Sequence, residues 1–385
     1  MKKNGYIPFS VPPFIGKELK YINEAIKSGK LSGDGPFTKL SEELIEKQTQ
    51  SKKILLTPSC TAALELSALL IDIKKGDEVI MPSFTFTSTA NAFILQGARP
   101  IFVDIDFETL NISIKEIKKA ITKKTKAIVP VHYAGVACEM NAISELKESK
   151  KLFIIEDAAQ AYYSFYKEKH LGTIGDIGAF SFHDTKNITS GEGGAISINN
   201  TELIERAEII REKGTNRKKF LLGQVDKYTW CDIGTSCLPS EITSSYLLAQ
   251  LEAAEKITQK RLGLWSRYNN LLKKAEDDNL ILRPKINKLT KHNAHIFYVI
   301  FPDKKIRDLC IDFMKKNGIV APFHYIPLHS SPAAEKYSDF CGSMKNTNLI
   351  AERIMRLPLW YGLSETNQNY IIKKLLDFIY KRTGI

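Results

Sequence analysis

The sequence predicts an α/β protein built on a mainly parallel sheet, followed by a smaller α+β domain. Through the first two-thirds of the chain, short apolar runs alternate with amphipathic helical segments. This is the pattern of strands joined by crossover helices. Several of the apolar runs lack polar alternation, as strands do when helices cover both faces of their sheet. After about residue 200 the alternation stops, and a polar irregular stretch leads into long helical patterns.

The elements follow in order. Lys53-Ile54-Leu55-Leu56 reads as the first strand, and Thr61 to Ile71 as the helix behind it. Glu78-Val79-Ile80-Met81 and Pro100-Ile101-Phe102-Val103 are the next strands, then a helix from Ile114 to Ile121. Ala127 to Val131 is a strand, Asn141 to Lys147 a helix, and Leu152 to Ile155 a strand. Gly178 to Phe182 and Ala195 to Ile198 complete seven strands; the link between them is too short for a helical crossover and suggests a hairpin. Thr201 to Glu212 reads as a helix, followed by the irregular stretch reaching Pro239. One long helical pattern runs from Ser240 past Leu264, with apolar positions at Ile242, Tyr246, Leu247, Leu251 and Ile257. Beyond it lie a strand-like His295 to Ile300 and helices near Lys305–Lys316 and Asn367–Tyr380. The reading divides the chain into a large domain, 1–250, and a small one, 251–385, joined through the long helix.

Composition excludes several classes. The hydrophobic content of 43% and charged content of 25% are those of an ordinary globular protein. The N-terminus has two lysines but no apolar core, so no signal peptide is expected, and no stretch approaches the roughly 18 apolar residues of a membrane span. The six cysteines are scattered without a CxxC pair, which favours reduced thiols and a cytoplasmic protein. The net charge of +12 is spread along the chain, and its densest run, Lys123-Lys124-Thr125-Lys126, sits where a helix hands over to a strand. Nucleic-acid binding is therefore not expected, although the surplus would assist capture of an anionic substrate.

The chemistry starts from Lys186, which closes the run Gly178-Ala179-Phe180-Ser181-Phe182-His183-Asp184-Thr185-Lys186. Upstream, Asp157 stands just past an apolar strand. An amine and a strand-end carboxylate suit pyridoxal phosphate, whose aldehyde bonds an amine and whose ring nitrogen needs an acid to stay protonated. A surface lysine in a Gly-rich turn and an aspartate capping the next helix are the competing readings. Gln160 follows Asp157 and would reach the cofactor's phenolic oxygen. His183 would orient the cofactor, or pack as a core histidine. Pro58-Ser59-Cys60-Thr61 opens a helix after a strand, a place where free N–H groups bind phosphate, or where Ser59 or Thr61 simply caps the helix. In Pro82-Ser83-Phe84-Thr85-Phe86, one phenylalanine is expected in the core and the other against a flat ring.

Taken together, PSCTAAL, PSFTFTSTANA, EDAAQA and GAFSFHDTKN…GEGG resemble the sugar-nucleotide aminotransferases of the DegT/DnrJ/StrS group. Segments such as GDEVIMPSFTF, VPVHYAGVACEM, GQVDKYTW and FHYIPLH are similar to the dTDP-4-amino-4,6-dideoxygalactose transaminases within it. The resemblance implies a fold-type I aminotransferase: a seven-stranded, mostly parallel sheet, a smaller C-terminal domain, and a homodimer with sites at its interface. By position it makes Lys186 the covalent anchor of pyridoxal phosphate and Asp157 the partner of its ring nitrogen. Gln160 would bond the phenolic oxygen, Phe86 stack on the ring, and Cys60, Thr61 and Ser181 hold the phosphate. Two positions depart from the group: Cys60 stands where many relatives have Gly, and Ser236 where many have an Asn reaching the partner subunit's phosphate. His329 is the candidate on the sugar side.

The implied reaction moves an amino group from L-glutamate to the C4 keto group of a dTDP-linked 4-keto-6-deoxyhexose. Within the same chemistry stand the gluco epimer of the product and a 3-keto sugar substrate. A cofactor-binding regulator without catalysis is the alternative of another class.

Overall fold

The computed structural model describes residues 5–383. All seven expected strands form and share one sheet: β1 (Lys53–Thr57), β2 (Glu78–Pro82), β3 (Arg99–Val103), β4 (Thr125–Ile128), β5 (Phe153–Asp157), β8 (Ile177–Ser181) and β9 (Gly194–Ile198). The sheet is eight-stranded rather than seven, because β12 (Asp339–Cys341) adds to its edge in the order β1-β9-β8-β5-β4-β2-β3-β12. Three residues carry no hydrophobic pattern to read; the edge strand is held by parallel pairing with β3 and by Arg99 bonding Asp339. Only β9 runs against its neighbours, and it closes the expected hairpin with β8. Two small sheets stand apart: β6 (Phe165–Tyr166), β7 (Lys169–His170) and β10 (Thr290–Lys291), and β11 (Phe297–Ile300) with β13 (Ile354–Leu357).

The helices are α1 (Glu18–Lys27), α2 (Pro36–Thr49), α3 (Cys60–Leu70), α4 (Thr87–Ile94), α5 (Ile114–Ala120), α6 (Met140–Lys150), α7 (Ile204–Arg211) and α8 (Arg217–Leu221). They continue as α9 (Glu241–Glu252), α10 (Ala254–Leu271), α11 (Lys273–Asp277), α12 (Lys304–Lys316), α13 (Ala334–Tyr337), α14 (Lys345–Arg353) and α15 (Glu365–Thr383). The single long helix expected from Ser240 is two, α9 and α10, with a break at Ala253 (φ −102°, ψ 7°). Neither Gly nor Pro marks the break. The chain passes from one core to the other within α10: Leu247, Leu251, Ala254 and Ile257 pack into the main sheet, while Leu264 and Trp265 join the C-terminal cluster.

Alternation along the central strands fills both faces of the main sheet. Ile54, Leu56, Ile80, Ile128 and Ile154 face one cluster with residues of α2, α5 and α6; Leu55, Val79, Met81 and Ile155 face another with α3, α4 and α7. Each such residue, fully buried, contributes roughly 1.5–3 kcal/mol. A third cluster gathers Trp265, Tyr268, Phe297, Met314, Ile371 and Leu375 around β11 and β13. A fourth ties the two regions together through Phe84, Tyr133, Tyr298 and Ile354. No helix of the described residues is long and apolar enough to cross a membrane.

Candidate active site

Parallel strands deliver their C-terminal ends, and the loops that follow, to one edge of the sheet, where ligands of α/β proteins bind. Here β1 leads to Ser59, Cys60 and Thr61; β2 to Thr85 and Phe86; β5 to Asp157; and β8 to Ser181, His183 and Lys186. All of these line one cavity of about 530 Å³. Its opposite wall comes from the rest of the chain: Phe9, Arg261, His295, His324, Tyr325, Arg356 and Leu357.

Asp157 is buried at the end of β5. One carboxylate oxygen accepts the Thr89 hydroxyl at 2.7 Å and the other the Ala159 N–H at 3.1 Å. Thr89 is itself bonded to Thr85 at 2.9 Å, so the acid is held in one orientation. Among the described residues no ion pair neutralises it, although a buried carboxylate needs such a partner. Lys186 lines the same cavity. Burial pushes its amine below the usual lysine range; the nearby Cys60 and Asp157 oppose that, and Arg356 reinforces it.

The first turn of α3 lines the same cavity. Ser59 caps the helix by accepting the Ala62 N–H at 3.1 Å, which leaves the N–H groups of Cys60 and Thr61 without an intrahelical acceptor. Capping by Ser59 is therefore present, and it leaves the N–H groups of the first turn open to an anion. Thr61 donates to Ser88, another residue of the cavity wall, at 2.8 Å. The end of β9 presses against this turn. A Cβ on Gly194 would lie 2.3 Å from the Ser59 carbonyl carbon and 2.4 Å from the Cys60 nitrogen, so only glycine fits. Ser181 is buried beside it in the wall, and Cys60, also buried, keeps its thiol protonated because burial pushes it well above its ordinary range.

Phe84 and Phe86 divide as expected: Phe84 packs on Tyr133 in the core, while Phe86 is 60% exposed at the cavity. Gln160 is also in the wall, but its amide is already engaged. Its oxygen accepts the Ala134 N–H at 2.7 Å, and its nitrogen donates to the Tyr325 hydroxyl at 2.8 Å. His183 sits at the margin with Thr185 and Asp184 rather than in the core.

Two candidates are not brought to the cavity by their own chain. Ser236 is exposed and bridged to Glu212. His329 bonds Ser83 through Nδ1 at 2.7 Å. From the same FHYIPLH run it is His324 and Tyr325 that reach the wall; they stack at 3.8 Å, and His324 Nδ1 bonds the Tyr133 hydroxyl at 2.7 Å. Sequence reasoning missed these two, together with Thr89, His295, Arg261 and Arg356. One signal was available: an arginine inside the apolar run Ile354–Leu357 needs a reason to be there.

The residues fit pyridoxal phosphate. An unpaired buried acid, an amine whose proton affinity burial lowers, and free helix N–H groups meet in one cavity large enough for a ring and a substrate. Comparisons with known proteins agree. The profile of the DegT/DnrJ/EryC1/StrS aminotransferase family matches residues 14–376. An uncharacterized protein of Methanocaldococcus jannaschii is 38% identical, over 92% of this chain and 94% of that protein. The GDP-perosamine synthase of Escherichia coli O157:H7 is 33% identical, over 97% and 98%. The PLP-form of a putative sugar aminotransferase from Streptococcus pneumoniae shares the fold with a TM-score of 0.89 at 27% identity, over 98% of this chain and 99% of that one.

Proposed function

The chain belongs to the DegT/DnrJ/EryC1/StrS aminotransferase family, and from that premise we propose that it aminates the C4 keto group of a dTDP-linked 4-keto-6-deoxyhexose with L-glutamate as donor. Transamination with pyridoxal phosphate is the family's activity. The observation that carries the reading is the meeting of Lys186, Asp157 and the start of α3 in a single cavity.

Pyridoxal phosphate, when bound, supplies an aldehyde that takes up amines and a ring that stabilises negative charge on the neighbouring carbon. Cys60, Thr61 and Ser181 would hold its phosphate, Asp157 its ring nitrogen, and Lys186 its aldehyde carbon. The fixed carboxylate of Asp157 favours a protonated ring. Lys186, freed by the donor's amine, takes the proton from the donor's α-carbon through Nζ and later delivers one to C4 of the sugar. Its lowered affinity for protons suits it to the first of these steps. Glutamate leaves as 2-oxoglutarate, and the sugar leaves with an amine at C4. The galacto epimer, with its amine axial, is the expected product, destined for cell-surface polysaccharide.

The active unit in this reading is a homodimer. A strip of exposed apolar side chains supports it: Leu221, Leu222, Tyr228, Trp230 and Ile233 lie on the loop that also carries Ser236. Such a strip marks an interaction surface. A GDP-linked sugar is the second reading, favoured by the nucleotide in the name of the Escherichia coli relative.

The test mixes the purified protein with L-glutamate and either dTDP-4-keto-6-deoxyglucose or its GDP counterpart, and determines the product by NMR. An axial C4 amine on the dTDP sugar is expected. An equatorial amine or turnover of the GDP sugar alone would each replace one part of the assignment, and turnover of the 3-keto isomer alone, supplied separately, would move the amine to C3. A cofactor absorbance band indifferent to every amino donor would point to the regulator instead.

A further inference from the structure

Arg356 is a cation in the cavity wall without an acid to pair with. It stands in β13, with Ile354, Met355 and Leu357 buried around it. Its Nε and Nη2 both donate to the Phe323 carbonyl, at 3.3 and 2.9 Å. The guanidinium carbon lies 4.5 Å from the centre of the Phe9 ring. Its other N–H groups have no acceptor among the described residues, and no carboxylate there pairs with it. A half-buried guanidinium with free N–H groups and no counter-charge is a ready seat for an arriving anion.

We propose that Arg356 anchors a carboxylate of the amino donor. The inference rests on the transaminase reading. That reaction brings three anionic groups besides the cofactor's phosphate, whose proposed seat is the start of α3: the donor's α- and γ-carboxylates and the diphosphate of the sugar nucleotide. The donor's amine must arrive at Lys186, and its α-carboxylate is bonded to the carbon bearing that amine. A diphosphate hangs from the anomeric carbon, across the ring from a C4 keto group. Arg356 lines the same cavity as Lys186, His295 and His324, and its charge helps lower the proton affinity of all three. It therefore faces the chamber that the donor's amine must enter. Both histidines are held neutral, chiefly by burial, and add no rival positive charge. The Phe323 carbonyl and the Phe9 ring fix the guanidinium plane, leaving a fork suited to two carboxylate oxygens.

The test compares the natural holoenzyme with R356Q and R356K. Each is given L-glutamate alone while its cofactor band is followed, and maleate, a dicarboxylate without an amine, is titrated by calorimetry. For R356Q the half-saturating glutamate concentration is expected to rise about 10–100-fold, with a parallel loss of maleate affinity. R356K should fall between, because a point charge keeps attraction but loses the fork. Reaction with propylamine, which has no carboxylate, should change far less, and so should half-saturation by the nucleotide sugar. Unchanged glutamate and maleate dependence in variants that keep their melting temperature and cofactor band would overturn the anchor. A loss confined to the nucleotide sugar would overturn it too, by assigning Arg356 to the diphosphate. A natural chain indifferent to every amino donor would sink the transaminase reading itself, and the anchor with it.

Discussion

At the scale of single residues, the site depends on two side chains whose charges are poorly matched to their surroundings. Lys186 has its proton affinity lowered by burial, and Asp157 is a buried acid held by Thr89 and the Ala159 N–H. Replacing Lys186 with Ala removes both the anchor and the proton carrier. The variant is expected to lose about 10²–10⁴-fold in turnover and to lose the cofactor's covalent absorbance band; a variant retaining the natural rate would remove Lys186 from the mechanism. Both residues were legible because each breaks a local rule: an acid at an apolar strand end, a lysine framed by glycines. Tyr325 was not legible and Arg356 only in part, for different reasons. Tyr325 lies in an irregular loop where nothing in the spacing says which side chain turns inward. Arg356 sits in a strand too short to show its period.

At the scale of elements, the hairpin β6–β7 carries a pH-dependent contribution to stability. His170 accepts the Tyr163 N–H through Nε2 at 2.8 Å and donates from Nδ1 to the Leu171 carbonyl at 2.6 Å, so it is neutral when folded. Burial pushes its pKa down to about 4, below the ~6.5 of an unfolded histidine. Between those values the unfolded chain binds the extra proton, so stability is full above pH ~6.5 and declines as pH falls toward 4, by about 2 kcal/mol at pH 5. H170Q should be less stable at pH 7 yet lose less between pH 7 and 5, as read from urea midpoints. An equal slope in both proteins would remove His170 from the account. A second outcome concerns the join between β9 and α3. Gly194→Ala forces a methyl onto the Ser59–Cys60 backbone and is expected to cost about 1–3 kcal/mol. Pyridoxal phosphate affinity should fall as well, measured by equilibrium dialysis. The seven sheet strands were legible because burial on both faces leaves unbroken apolar runs. Other features depended on partners far along the chain. The N-terminal turn of α2 is capped by Glu241, whose carboxylate accepts the N–H groups of Gly35, Phe37 and Thr38. The edge strand β12 exists only because β3 offers it a partner.

At the scale of the whole molecule, Trp230 is 79% exposed beside the exposed Leu221, Leu222, Tyr228 and Ile233, a surface that suits the proposed homodimer. Trp230→Glu is expected to shift light-scattering mass toward a single chain and to lower turnover in parallel, whereas a monomer of undiminished activity would separate the two properties. The contact of Gly194 with Ser59 and Cys60 has a wider consequence. It clamps the loop bearing Lys186 to the turn that would grip phosphate, so the catalytic half of the molecule is one rigid casting. The facing wall is assembled from the remote stretches around Phe9, His324 and Arg356. Selection acting on sugar or donor preference can therefore rework one side of the chamber while the reactive machinery on the other is inherited unchanged.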